Sequence, residues 1–189
     1  MVPLKLAELR KQLDELIQAE FIRPSKTPFI TQVLFQKKQD RFLRLCVDYW
    51  ALNKVTVKNN YPIPLITDLF DQLSGVKYFC KLDLRSGYHL LSVAKEDEPK
   101  TTYVTRYGAF EILVIPFGLT NALTTFCTLM NQVFHDYLDK FMGIYLDDIV
   151  VYNSTLKEHQ GHLQQVYQGH GLNQLVSRNH NCSKTAAVL

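Results

Sequence analysis

The chain has 189 residues, 47% hydrophobic and 21% charged, with a net charge of +3, which predicts an ordinary globular protein with a sizeable core in one compact domain or two intimate subdomains. Its apolar runs are far shorter than the roughly 18 residues a membrane helix needs, and Met1-Val2-Pro3-Leu4 leads into charge rather than an apolar signal core, so no membrane role is expected. Cys46, Cys80, Cys127 and Cys182 are widely separated with no Cys-x-x-Cys pair, which argues against a disulfide framework or zinc ribbon and for a reduced, intracellular protein, in a cytoplasmic particle or the nucleus.

Taken in chain order, Leu6, Leu9, Leu13, Leu16 and Ile17 fall at helical spacing behind Pro3 and predict an amphipathic helix from about Leu4 to Ile17. Two β-rich runs follow, Val33 to Phe35 and Leu43 to Val47, joined by Lys37-Lys38-Gln39-Asp40-Arg41, which reads as a hairpin with a basic tip. Residues 1–60 hold 11 Lys and Arg against 6 Asp and Glu, whereas the remainder holds 10 against 12. The basic front suits a surface that meets phosphates.

Two prolines in Tyr61-Pro62-Ile63-Pro64 force an extended entry into a short helix carrying Ile66, Leu69, Phe70 and Leu73, which Gly75 is placed to stop. A strand is expected from Tyr78 to Asp83, then a tight Arg85-Ser86-Gly87 turn into a β-like Tyr88 to Leu91, and further β-like segments at Thr101 to Thr105 and Phe110 to Ile115. The apolar stripe of Ala122, Phe126, Met130, Val133 and Phe134 predicts a helix from Asn121 to Leu138. Met142 to Tyr152 is β-prone on both sides of Asp147-Asp148, a strand-turn-strand with two carboxylates at its tip. Beyond Gln160 the periodicity weakens. His159 and His162 stand three apart and with Cys182 suggest a zinc site only weakly, because no fourth ligand has sensible spacing.

Adjacent carboxylates in an apolar hairpin are costly unless a cation compensates them. Asp83 closes another apolar strand, and if the strands are neighbours its oxygens converge with those of the hairpin. Such hard oxygen ligands suit Mg²⁺, with Mn²⁺ as a substitute, and two ions about 3.5 to 4 Å apart serve phosphoryl or nucleotidyl transfer. A lone Asp-Asp pair is nonetheless more often a solvated turn, so spacing by itself does not establish a polymerase.

The ordered series Leu45-Cys46-Val47-Asp48-Tyr49, Ala51-Leu52-Asn53-Lys54, Tyr61-Pro62-Ile63-Pro64, Leu82-Asp83-Leu84-Arg85-Ser86-Gly87-Tyr88-His89, Pro116-Phe117-Gly118-Leu119-Thr120-Asn121-Ala122 and Tyr145-Leu146-Asp147-Asp148 strongly resembles the reverse transcriptases of gypsy-type LTR retrotransposons over about residues 5–165. The resemblance implies an α+β fold, the fingers and palm of a right-hand polymerase with an antiparallel palm sheet backed by helices and the thumb absent. Fingers are implied for 1–57 and 91–121, palm for 58–90 and 122–170, and a weakly structured tail for 171–189. It implies an RNA-directed DNA polymerase that adds deoxynucleotides to the 3′-hydroxyl of a DNA primer on an RNA or DNA template. Asp83 and Asp147 become the principal ligands of two Mg²⁺ ions, with Asp148 beside them in the catalytic set.

By the same resemblance the backbone N–H groups of Ser86 and Gly87 cradle the incoming triphosphate, and Gly87 lets the nucleotide approach closely. Tyr88 gates against a ribose 2′-hydroxyl, although a tyrosine read on its own there is a core residue. Phe117 lines the nucleotide pocket, and Lys37 and Arg44 hold the triphosphate, a part the neighbouring Lys38 fits equally well. Lys38, Arg41 and Tyr145 are assigned to template and primer.

The sequence departs from the pattern at Trp50, where Arg is usual, at Leu123, where Pro is usual, at Arg41, which replaces a Gly, and at Ile30-Thr31-Gln32, which replace Gly-Ala-Pro. No catalytic acid is lost. Both Arg to Trp and Pro to Leu arise by a single C to T change, and with no thumb or RNase H region of the same polyprotein discernible they support an alternative: an inactive retroelement remnant that folds and at most binds nucleic acid.

Overall fold

The structure is a computed structural model that describes residues 3–37, 43–62, 65–84, 87–146 and 148–168; the side chains of residues 3–5 and of Asp83 lie outside that description. In chain order the elements are α1 Pro3–Gln18, β1 Ile22–Pro24, β2 Thr31–Lys37, β3 Leu43–Val47, α2 Trp50–Val55, α3 Ile66–Gln72, β4 Tyr78–Asp83, β5 Tyr103–Thr105, β6 Gly108–Ile112, α4 Ala122–Val133, β7 Met142–Tyr145, β8 Asp148–Asn153 and α5 Leu156–Gln168. They fall into two compact units, Met1–Lys58 with Leu91–Ala122, and Asn59–Leu90 with Leu123–Leu189.

The first unit is built on a five-stranded sheet in the order β1-β6-β5-β2-β3, with β2 and β5 parallel and the other pairs antiparallel. Alternate residues of β2 turn inward, Val33 and Phe35 against the exposed Gln32 and Leu34, as the pleat requires. Its core gathers Leu9 and Leu13 of α1 with Ile22, Tyr49, Tyr103, Phe110 and Ile112. The side chain of Gln12 ties α1 to β3, donating to the Leu43 carbonyl at 2.6 Å and accepting the Leu45 N–H at 3.2 Å. Tyr49 buries its ring and donates its hydroxyl to the Thr101 carbonyl at 3.0 Å, and burial pushes its phenol well above the ordinary tyrosine range.

The second unit holds a three-stranded antiparallel sheet in the order β4-β8-β7. The central β8 is buried from Ile149 to Asn153, which accounts for its near-continuous apolar run. Helix α3 packs on β7, and α5 packs on β8 and β4. The seat for α3 is Gly143, where a Cβ would lie 2.4 Å from Leu69 Cδ1. Gln72 of α3 fixes the approach by donating to Asp139 Oδ1 at 2.6 Å. Phe126 and Met130 of α4 are fully buried, as is Val166 of α5.

Three expectations need correction. Tyr88 to Leu91 is not β-like; Gly87–Leu90 forms a turn of 3-10 helix because the Gly87 N–H closes on the Leu84 carbonyl at 2.9 Å and the Tyr88 ring stacks on Phe126 with centroids 4.8 Å apart. The helix expected to reach Leu138 ends at Val133, after which Tyr137 N–H bonds the Phe134 carbonyl three residues back and tightens the chain into turns. Periodicity fades after Gln160, yet α5 continues to Gln168. Its start is fixed by Thr155, which accepts the Glu158 N–H at 3.4 Å and donates to Glu158 Oε2 at 2.7 Å, a Thr-x-x-Glu signal legible in the sequence. The tail assigned to 171–189 lies outside the described residues.

Candidate active site

Strands β4 and β8 pair in a register that sets Asp83 directly across from Asp148. Strands β7 and β8 pair Tyr145 with Asp148, leaving Leu146 and Asp147 as the two-residue connection. A two-residue hairpin that follows sheet twist needs a left-handed residue at its first central position, usually glycine or asparagine. Here Leu146 occupies it at φ +57°, a conformation that disfavours a bulky side chain by about 1–3 kcal/mol. The paired strands on either side hold Leu146 in that conformation. Asp147 itself lies outside the described residues.

Acids directly opposite on neighbouring strands repel, so the site needs positive charge. Lys81 of β4 supplies some of it, with Nζ 2.7 Å from Asp148 Oδ2. Of the three expected ligands only the Asp148 side chain is described; a carboxylate is a hard oxygen donor suited to a divalent cation, and this one already draws the Lys81 ammonium. Among the described residues no three His, Cys, Asp or Glu side chains cluster as a metal site; Asp147 and the Asp83 side chain lie outside them.

Of the two backbone N–H groups expected to cradle a triphosphate, only that of Gly87 is described. The Gly87 N–H is engaged by the Leu84 carbonyl, and Gly87 has a packing reason to be glycine, since a Cβ there would lie 2.9 Å from Phe126 Cζ. Ser86 lies outside the described residues. Tyr88 is 9% exposed with one ring face on Phe126, so Phe126, which the sequence offered only as core, backs both Gly87 and Tyr88.

Within the first unit the structure brings together two residues that the sequence assigned separately. The Arg44 guanidinium sits 4.9 Å from the centroid of the Phe117 ring, and Phe117 is half exposed. Such stacking orders a guanidinium without neutralising it. Lys37 ends β2 opposite Leu43 and is exposed, while Lys38 and Arg41 lie outside the described residues. Trp50 opens α2 with its ring largely in solvent, its backbone N–H donating to Asp48 Oδ1 at 3.0 Å and Lys54 Nζ 3.4 Å from the ring centroid. Leu123 is half-buried in the first turn of α4.

The two histidines of α5 are accounted for without zinc. His159 is buried and lies between Asn153 Oδ1 at 3.1 Å and Cys80 Sγ at 3.1 Å. Asn153 Nδ2 donates to His162 Nδ1 at 2.7 Å, and the His162 ring stacks on Phe141. Cys182, the third member of the suggested site, lies outside the described residues.

The domain model for reverse transcriptase (RNA-dependent DNA polymerase) matches residues 35–185. The chain aligns over 96% of its length with the foamy viral protease-reverse transcriptase solved in complex with double-stranded DNA, at a TM-score of 0.79 and 18% identity, covering 30% of that chain. The fold is therefore the α+β fingers and palm of right-hand polymerases, with an antiparallel palm sheet backed by helices. An RNA-directed DNA polymerase homolog of Oenothera berteroana is 61% identical over 127 residues, 66% of this chain and 89% of that protein. The retrovirus-related Pol polyprotein from transposon opus of Drosophila melanogaster is 35% identical over 164 residues, 84% of this chain but 16% of that polyprotein.

The chain belongs to the reverse transcriptase family of nucleotidyltransferases, as a domain of the kind that retrotransposon Pol polyproteins carry.

Proposed function

We propose that this domain performs the polymerase step of a gypsy-type element, adding deoxynucleotides to the 3′-hydroxyl of a DNA primer along an RNA or DNA template. The register that sets Asp83 against Asp148, one residue from Asp147 at a strained hairpin tip, carries the reading. In it the second unit is the palm and the first unit the fingers. Asp83 and Asp147 hold two Mg²⁺ ions, or Mn²⁺ in their place, with Asp148 supporting them. Bound ions supply the charge that acidifies the primer hydroxyl and offsets the negative charge developing on pyrophosphate.

The protein's own contribution is positioning and fixed charge. Arg44, steadied on Phe117, draws the triphosphate, and Lys37 at the end of β2 adds to that field. Tyr88, held by Phe126, presents its edge to the sugar and selects deoxynucleotides. Template and primer backbones meet the basic hairpin of Lys38 and Arg41 and the Tyr145 end of β7. The foamy viral homologue was solved with duplex DNA, which supports a nucleic-acid partner here.

A second reading, a folded remnant that at most binds nucleic acid, is favoured by Trp50, whose exposed ring replaces a cation. The two readings separate in one assay: Mg²⁺-dependent extension of a DNA primer on a poly-RNA template by the purified chain. Extension that Asp147→Asn abolishes, by a factor of 10³ or more, establishes the polymerase. A folded chain that binds the duplex without extending it is either the remnant or a fragment that extends only with the missing thumb restored.

A further inference from the structure

Lys81 stands on β4 two residues before Asp83, across from Val150 of β8, and its ammonium lies 2.7 Å from Asp148 Oδ2. The lysine side chain is 55% exposed and the aspartate 30%. A pair this open is weak, so it can be broken by a competing cation at small cost. The polymerase reading above gives this lysine no part.

From this geometry we propose that Lys81 is a positioning residue of the metal site: the resident counter-ion of Asp148, which holds that carboxylate in the metal-free domain and yields it when a divalent cation arrives. The inference rests on the metal-site reading. Two acid positions in direct register repel, and with no dication present the repulsion falls on the β4-β8 pairing. An ammonium on a flexible four-carbon stem is suited to relieve it, being a compact charge that can swing aside without disturbing the strand. The same charge then competes with any incoming cation for Asp148. Lys81 therefore acts with opposite signs, supporting the metal-free sheet while weakening cation affinity.

The test is Mn²⁺ binding to the purified chain, read as loss of the free-ion electron paramagnetic resonance signal. Lys81→Met keeps the stem and removes the charge; it is expected to tighten Mn²⁺ binding about two- to five-fold and to lower the melting temperature only when no metal is present. Lys81→Arg keeps the charge and retains wild-type affinity. In an Asp148→Asn background the Lys81→Met effect on affinity disappears. Unchanged or weaker binding by Lys81→Met, with Asp83→Asn and Asp147→Asn still abolishing it, overturns the role of Lys81 and leaves the metal site standing. An equal gain in the Asp148→Asn background overturns the pairing. Mn²⁺ binding indifferent to all three acids overturns the metal site and this inference together.

Discussion

Of the described glycines, Gly143 leaves the least room for a side chain. A methyl there would lie 2.4 Å from Leu69 Cδ1 and 3.0 Å from Gln72 Oε1, so Gly143→Ala must push α3 off β7 or force Leu69 from its rotamer. We expect it to destabilise the domain by about 1–3 kcal/mol in urea unfolding. Adding Leu69→Ala removes the obstructing atom, so the double variant should lose less than the sum of the single ones. This constraint was invisible in the sequence, where Gly143 sits unremarked between Met142 and Ile144; the clash partner comes from a helix some seventy residues earlier.

His159 gives a second residue-scale prediction. Burial first, and the neighbouring His162 second, hold its imidazole below the ordinary histidine range. Its bonds require the neutral ring, with Nδ1–H donated to Asn153 and Nε2 accepting from Cys80, and burial keeps Cys80 a thiol. As pH falls below about 6.5 the unfolded chain takes up a proton that the folded one refuses, so stability drops with pH from there down to the depressed native value. Urea unfolding between pH 7.5 and 5.5 should show that slope, and His159→Gln should flatten it. The His-x-x-His spacing was plain in the sequence, but its meaning depended on Asn153 and Cys80, which only strand register brings alongside.

At the scale of elements, local pattern succeeded where one face of a helix or strand decided the outcome. The apolar spacing of Leu6, Leu9 and Leu13 defines α1, and the run from Tyr78 to Asp83 is β4 to the residue. It failed where a tertiary partner overrode it. Tyr88 to Leu90 has the composition of a strand but curls into a 3-10 turn to place its ring on Phe126. Helix α5 lacks a clean stripe because its buried face includes His159 as well as Val166. Its Thr155 cap predicts that Thr155→Ala lowers stability by about 0.5–2 kcal/mol, and that loss of circular dichroism at 222 nm on warming begins earlier in the variant. The hairpin tip was legible as a turn from Asp147-Asp148, whereas the strain at Leu146 was not, since a leucine carries no turn signal.

For the molecule as a whole, the order of motifs carried more than any of them alone. The acids, Tyr88, Arg44 and Phe117 were each ambiguous as isolated residues, and the order of motifs pointed to a reverse transcriptase, the family that the domain match and the relatives show. The pairing of Arg44 with Phe117 and of Lys81 with Asp148 required coordinates, because both depend on residues far apart in the chain whose approach no local periodicity encodes. The domain's chemistry rests on one claim, that β4 and the β7-β8 hairpin together hold a divalent cation. Replacing Mg²⁺ with Fe²⁺ and adding ascorbate and peroxide tests it without requiring turnover, since a bound iron generates hydroxyl radicals that cut the backbone nearby. Cleavage is expected to cluster around residues 83 and 147–148, to be competed by Mg²⁺ and to be lost in Asp147→Asn; cleavage elsewhere, or cuts at these strands that persist in that variant, would contradict a cation site here.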